Sequence, residues 1–442
     1  MPGRIPTQLW ENVCALGVLI AGLSARLWVI AHIPLEPISD FKRYYMVAET
    51  FANVGSLSAD GFPYIIQGPL YPVMLGLTFK AFGPGVLQGQ ILNLLLSAVA
   101  IICITLAARN VLRPGWLRLV PPALLAAHPG AVLYVNVLGT ECLSLAAVAA
   151  AILASVCRGR SAAIALGVLL ALLSLNRPQF LPVVLLFVLL RRPGLRSMAS
   201  GFAWCVIPFM LAMTPWTLRN YAVFDRFIPT SASSGYILLV NNNDANIHSG
   251  WMPLTSVAIS DEDKARFDRD GAISFFDESD EGLKVLRWTP ANDALARELA
   301  IKWIKDHPAR FAELGWKRIQ TTMWMDYGDM LLWPLHDVGP SRPLFEVTRA
   351  LDLTLFTVAI LGFLYAVVYR RDGTLWRACL IPALVTAGGL AAIFVFEGQG
   401  RYLLPMIPAV ALMVCLVRPR SWVGARQTMA GTPPYSVRVT AS

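Results

Sequence analysis

Five ionisable side chains stand at the ends of apolar runs in this sequence, and their types suit one kind of chemistry. Asp40 lies in Ser39-Asp40-Phe41-Lys42-Arg43-Tyr44-Tyr45, and Glu141 follows Gly139-Thr140. Arg177 sits in Asn176-Arg177-Pro178 between two apolar runs. Arg219 ends Thr214-Pro215-Trp216-Thr217-Leu218-Arg219-Asn220-Tyr221, and Arg401 with Tyr402 closes Glu397-Gly398-Gln399-Gly400-Arg401-Tyr402. A carboxylate can take the proton of an incoming hydroxyl. Cations stabilise charge developing on a departing phosphate, and the planar fork of arginine matches phosphate oxygens bidentately. Lys42 and Arg43 follow Asp40 directly, and nearby cations favour an ionised carboxylate.

Each residue also has a plainer role open to it. A lone arginine at a helix end snorkels to headgroups, which fits Arg177, Arg219 and Arg401. Glu141 can cap a helix N-terminus, where the dipole favours a carboxylate. Asp40 can open an amphipathic helix running to Val54. Arg26, inside the first apolar run, can snorkel or pair with a phosphate, and the lone His248 and His307 read as structural.

The elements that must position these groups are membrane spans. Of 442 residues, 56% are hydrophobic and only 15% charged, against about 25% charged in soluble chains. The runs 86–108, 199–217 and 378–396 contain no Asp, Glu, Lys or Arg, and each approaches the roughly 17–25 residues that cross a bilayer. Ten spans are expected, near 9–31, 86–108, 117–135, 141–157, 161–175, 179–190, 199–218, 350–369, 376–396 and 402–417. The first is too long for a signal-peptide core and reads as retained. The fifth and sixth form a hairpin about Arg177, because that keeps Arg158 and Arg160 on the same side as Arg191 and Arg192. Sixteen arginines fall in short segments on that side, which is the positive-inside pattern. Both termini are then cytoplasmic, and the net charge of +9 describes topology rather than nucleic-acid binding.

Four regions follow: a spanning module over 1–218 with its first outer loop at 32–85, an outer insertion at 219–349, three spans over 350–417, and a basic tail over 418–442. The apolar stretch Pro69 to Gly83 is short and reads as an interfacial helix. Residues 291–327 have helical spacing through Leu295, Leu299, Trp303 and Ile304, and the acidic stretch 258–283 reads as a solvated excursion. The seven cysteines lie in or beside apolar segments, so neither a disulfide framework nor a CxxC zinc site can be drawn. A P-loop, a HExxH helix and an outer GxSxG elbow are all absent from the sequence.

The order of these pieces resembles the GT-C superfamily of polyprenyl-phosphate-sugar glycosyltransferases, in particular the bacterial branch related to protein O-mannosyltransferases and the lipid A aminoarabinose transferase. The resemblance rests on Asp40 with Tyr44, Ala48 and Gly55, then Pro69-Leu70-Tyr71-Pro72, Thr140-Glu141 and Arg177-Pro178. Pro215-Trp216 with Arg219-Asn220-Tyr221 and Phe224, Asn241-Asn242-Asn243, Trp303 to Pro308, and Gly400-Arg401-Tyr402 complete it. It implies an all-α polytopic bundle of about ten transmembrane helices with an outer-face first loop and a small periplasmic insertion. It further implies a transferase of the bacterial inner membrane that moves a sugar from a polyprenyl-phosphate carrier to a periplasmic glycan, lipid or protein acceptor, with inversion. In that reading Asp40 and Glu141 are catalytic, and Arg401, Arg177, Arg219 and Tyr402 hold the donor phosphate. Lys42, Arg43, Tyr44, Tyr71 and Asn220 support them. Many relatives carry a second acid after the first, and Phe41 stands there instead; a divalent cation held with the help of Glu141 is left open. A lipid-linked glycan transporter, or a polymerase or ligase using diphosphate-linked oligosaccharide, is the alternative. Transporters tend to show repeats and midplane polar groups, whereas the polar residues here gather at span ends.

Overall fold

The computed structural model describes residues 7–182, 195–267, 287–325, 328–369 and 373–415. Most of the sixth expected span, most of the acidic excursion and the basic tail lie outside the described residues.

The chain opens with α1 (Thr7–His32). The first loop then folds into α2 (Ser39–Val54), the hairpin β1 (Ser58–Ala59) and β2 (Phe62–Pro63), and α3 (Leu70–Phe82). Local chemistry explains each boundary. Asp40 sits in the first turn of α2, where the helix dipole favours it, and Gly55 ends the helix in the left-handed conformation. Asp60-Gly61, both at positive φ, turns the hairpin. The amphipathic face of α2 buries Phe41, Tyr44, Val47 and Ala48, packing it against α3. The first loop is thus a helical layer, as its sequence pattern anticipates.

Helices α4 (Val86–Val111), α5 (Val120–Ala127), α6 (Pro129–Leu133), α7 (Thr140–Val156), α8 (Arg160–Asn176) and α9 (Leu195–Phe224) follow. On α4 the row Gly89, Asn93, Leu96, Ala100, Ile104 and Ala107 is buried, while Leu87, Ile91, Leu95 and Ile102 are exposed. An apolar helix with large exposed hydrophobics faces lipid, so the inward row marks the bundle core. By length and composition, Gln8–His32, Val86–Val111 and Arg342–Leu364 can each cross a bilayer alone among the described residues, while Leu70–Phe82, Thr140–Val156 and Arg160–Asn176 are shorter apolar helices.

Next come α10 (Ser234–Asn241), α11 (Asp261–Phe267), α12 (Pro290–Asp306), α13 (Pro308–Gln320) and α14 (Gly328–Leu335). The spanning helices α15 (Arg342–Tyr369) and α16 (Gly373–Val395) then lead through a 3-10 segment, Gly400–Met406, into α17 (Ile407–Val414). The chain is a multi-pass membrane protein with an all-helical bundle.

Three expected helices are interrupted. The third span divides into a 3-10 turn (Trp116–Leu119), α5 and α6, because Pro129 brings no N–H to continue the ladder. His128 at the break accepts from Ala131 N through Nδ1, which leaves the proton on Nε2, 2.8 Å from Asp352 Oδ1. The tenth span starts as a 3-10 segment containing Pro405. The helix expected over 291–327 breaks at Pro308 into α12 and α13.

Candidate active site

Asp40 lies in the first turn of α2. Its Oδ1 accepts from Arg43 Nη2 at 2.6 Å, one helical turn on, and its Oδ2 accepts from Arg401 Nη2 at 3.1 Å. The side chain keeps 26% of its surface open. Burial raises its pKa, but the Arg43 and Arg401 charges, with hydrogen bonds from Arg401 and Gln67, outweigh burial and hold the carboxyl below the usual range. The group is therefore a carboxylate at neutral pH.

Arg401 is held by aromatic faces as well as by charge. Its guanidinium carbon stands 5.4 Å from the Phe41 ring centroid, 5.5 Å from that of Trp333 and 5.4 Å from that of Tyr402. Phe41 and Trp333 meet edge to face. Phe41 thus serves as a wall for the arginine, by cation–π attraction.

Arg177 occupies the adjoining position. It pairs with Glu141 Oε1 at 2.7 Å, and its guanidinium carbon lies 5.5 Å from the Tyr402 ring. Both partners are buried, yet Arg177 Nε, Arg401 Nε and Glu141 Oε2 make no hydrogen bond. Such groups cost about 1–3 kcal/mol each when orphaned, so the site holds unused polar capacity. The backbone brings Arg177 here because Gly68 in the first loop presses onto the end of α8: a Cβ at Gly68 would sit 2.1 Å from the Leu175 carbonyl oxygen.

Asp40, Glu141, Arg177, Arg401, Tyr402 and Arg43 therefore converge. Tyr44 is buried against Tyr71, at 5.7 Å between ring centroids, and the Tyr71 hydroxyl donates to Asn93 Oδ1, so both form the back wall. Lys42 is exposed. Arg219 is turned elsewhere: it donates to the Tyr64 and Leu57 carbonyls at 2.8 Å and to Asn220 Oδ1, tying the end of α9 to the first loop. Asn220 in turn donates to the Ile228 carbonyl and serves as a helix-end tie. Three participants escaped sequence reasoning. Gln67 hydrogen-bonds Asp40, Trp333 walls Arg401, and the buried Glu397 accepts from the Tyr402 hydroxyl at 2.8 Å. Glu397 carries the one sequence signal among them, as an acid four residues before Arg401.

A divalent cation does not suit this set. Both Asp40 oxygens are engaged by guanidiniums, Glu141 is committed to Arg177, and Arg43, Arg177 and Arg401 already crowd the site with positive charge. Among the described residues, no group of three or more His, Cys, Asp or Glu converges.

The architecture has solved counterparts. The chain is similar to the oligosaccharyltransferase of Archaeoglobus fulgidus in its apo form, with 14% identity and a TM-score of 0.52 over 95% of this chain and 51% of that one. It is also similar to ArnT from Cupriavidus metallidurans bound to undecaprenyl phosphate, with 14% identity and a TM-score of 0.43 over 96% of this chain and 81% of that one. The likeness to the oligosaccharyltransferase shows the fold alone. This chain spans about half the length of that protein. No protein-family model matches the sequence, and no curated protein matches it.

Proposed function

We propose that the protein is a membrane glycosyltransferase that moves a sugar from a polyprenyl-phosphate carrier to a glycan, lipid or protein acceptor on the periplasmic face of a bacterial inner membrane. One observation carries the reading: a partly open carboxylate, Asp40, stands against two arginines, beside a third that shares the Tyr402 ring with one of them. The donor phosphate binds Arg401 and Arg177. Because Arg401 also holds Asp40 Oδ2, the phosphate draws that fork away and frees a carboxylate oxygen for the acceptor. Asp40 takes the acceptor hydroxyl proton as the oxygen attacks the anomeric carbon. The bond from that carbon to the phosphate oxygen breaks, and polyprenyl phosphate leaves with its new negative charge on the arginines. A single displacement of this kind inverts the anomeric centre. Glu141 holds Arg177 in place, a role that its ion pair and burial favour over proton transfer.

The test is product analysis with detergent-purified protein and polyprenyl-phosphate sugars. Release of free polyprenyl phosphate, abolished in Asp40→Asn, is the expected result. Movement of the lipid across proteoliposomes without its consumption identifies a flippase, and release of polyprenyl diphosphate identifies a polymerase or ligase; either overturns the reading.

A further inference from the structure

Glu397 is a buried acid that the reaction above does not use. It follows Phe396 just beyond the end of α16, in a strip that the insertion ties down. Arg318 of α13, itself fully buried, donates to the Asn241 and Phe396 carbonyls and to Asn242 Oδ1. A Cβ on Gly398 would lie 2.8 Å from Thr322 Oγ1 and 2.9 Å from the Arg318 carbonyl oxygen, so the strip rests directly on that helix. On this base both Glu397 oxygens are engaged: Oε1 by Gln399 Nε2 and Oε2 by the Tyr402 hydroxyl at 2.8 Å. Burial, the largest influence, pushes the carboxyl above its usual range despite the nearby Arg401 charge.

The consequence reaches the donor site through Tyr402. Its ring centroid stands 5.5 Å from the Arg177 guanidinium carbon and 5.4 Å from that of Arg401. A phenol whose hydroxyl is fixed at one end presents its ring at a set angle to both cations. Donation to a carboxylate also enriches the ring in electron density, which strengthens cation–π attraction. An acid placed directly on Arg401 would compete with a phosphate for the guanidinium fork. Glu397 acts through the phenol and adds no second acid to the fork that already holds Asp40.

We propose that Glu397 is a positioning residue for the lipid-phosphate donor, holding the Tyr402 ring against Arg401 and Arg177 so that both guanidiniums address one phosphate. The proposal rests on the donor-site reading given above. It is tested by the binding of undecaprenyl phosphate to Glu397→Gln, Tyr402→Phe and the double variant in detergent, with Arg401→Ala as reference. Each single variant weakens binding by about tenfold, the scale of one charge-assisted hydrogen bond. The double variant is no weaker than either single, because both remove one link, and at saturating donor the loss in turnover is smaller than the loss in affinity. Tyr402→Phe keeps the ring and the fold, so it reads the link even if Glu397→Gln assembles poorly. Single variants that bind within about twofold of wild type while Arg401→Ala does not overturn this proposal alone, as do single effects that multiply in the double variant. An Arg401→Ala protein that binds as wild type overturns the donor-site reading and this proposal together.

Discussion

Two polar contacts join distant parts of this chain inside an apolar bundle, and they are built differently. His128 and Asp352 meet at 2.8 Å with side chains 0% and 2% exposed, one at the break between α5 and α6 and the other on α15. Asp40 and Arg401 meet at 3.1 Å with the acid 26% exposed, between α2 and the start of the tenth span. Both His128 ring nitrogens have partners, Ala131 N and Asp352. At the Asp40 site one acid takes two arginines, and Arg401 Nε, Arg177 Nε and Glu141 Oε2 remain without hydrogen bonds. A sealed pair fixes helices against each other. An open, cation-rich cluster with spare donors is arranged for a ligand that arrives with negative charge.

The largest effect on stability falls on the sealed pair. Asp352→Ala leaves the buried His128 Nε2–H without its charged acceptor and is expected to cost about 1.5–3 kcal/mol of stability, seen as a lower melting temperature in detergent. The protein that does fold should bind donor normally. At the open cluster Arg401→Ala is expected to cost about 2–4 kcal/mol in donor affinity, from charge-assisted bonds of roughly 1.5–3 kcal/mol each that do not simply add. Arg401→Lys should stay impaired, because a point charge cannot replace the fork. Titration with undecaprenyl phosphate measures both; wild-type affinity in Arg401→Ala would erase the distinction between the two regions.

Asp40→Asn comes next and sharpens the comparison within the cluster itself. It keeps the shape and the helix-start preference of Asp but removes the base, so turnover should fall at least about 100-fold while the melting temperature stays near wild type. Retention of more than about a third of wild-type turnover would move the proton-accepting role to another group. The pH dependence has a definite sign. The folded pKa of Asp40 is depressed, so its contribution to stability is present above the unfolded value of about 3.9 and is lost as pH falls through the lower folded value. An acid limb of activity well above pH ~4 must therefore come from a group other than Asp40.

The sequence made the membrane helices and most of the cluster legible for one physical reason. Charges are costly at membrane depth, so Asp40, Glu141, Arg177 and Arg401 stand out at the ends of apolar runs. The first loop was equally readable, since α2 carries an amphipathic period and stops at Gly55. Trp333 and Gln67 were not readable, because an uncharged side chain beside a polar segment gives no local sign of the arginine or acid it will meet. Asp352, an acid within the eighth expected span, finds its reason only in His128, more than two hundred residues earlier in the chain. Interruptions at Pro129, Pro308 and Pro405 were visible as residues but not as breaks, since prolines are tolerated inside α9 at Pro208 and Pro215. Whether a proline bends a helix or ends it depends on what satisfies the freed backbone groups, and that is decided by neighbours.

Arg219 is the residue on which span-end logic and geometry part, and its substitution is the smallest and most discriminating test. Position alone groups it with Arg177 and Arg401. Its guanidinium instead donates to the Leu57 and Tyr64 carbonyls, and stacks 4.8 Å from the Trp216 ring centroid and 5.6 Å from that of Phe224. Tyr64 is bound to Gln67, which touches Asp40, so Arg219 reaches the site only through the first loop. Arg219→Ala should then loosen the β1–β2 hairpin, raise its protease sensitivity, and reduce turnover by about threefold to tenfold with donor affinity nearly unchanged, the scale of one hydrogen bond at a half-exposed group. Arg219→Lys should recover part of that loss, since an ammonium can still reach one carbonyl. A loss of donor affinity in Arg219→Ala as large as that of Arg401→Ala would return it to the phosphate site and require the α9 end to move when donor binds.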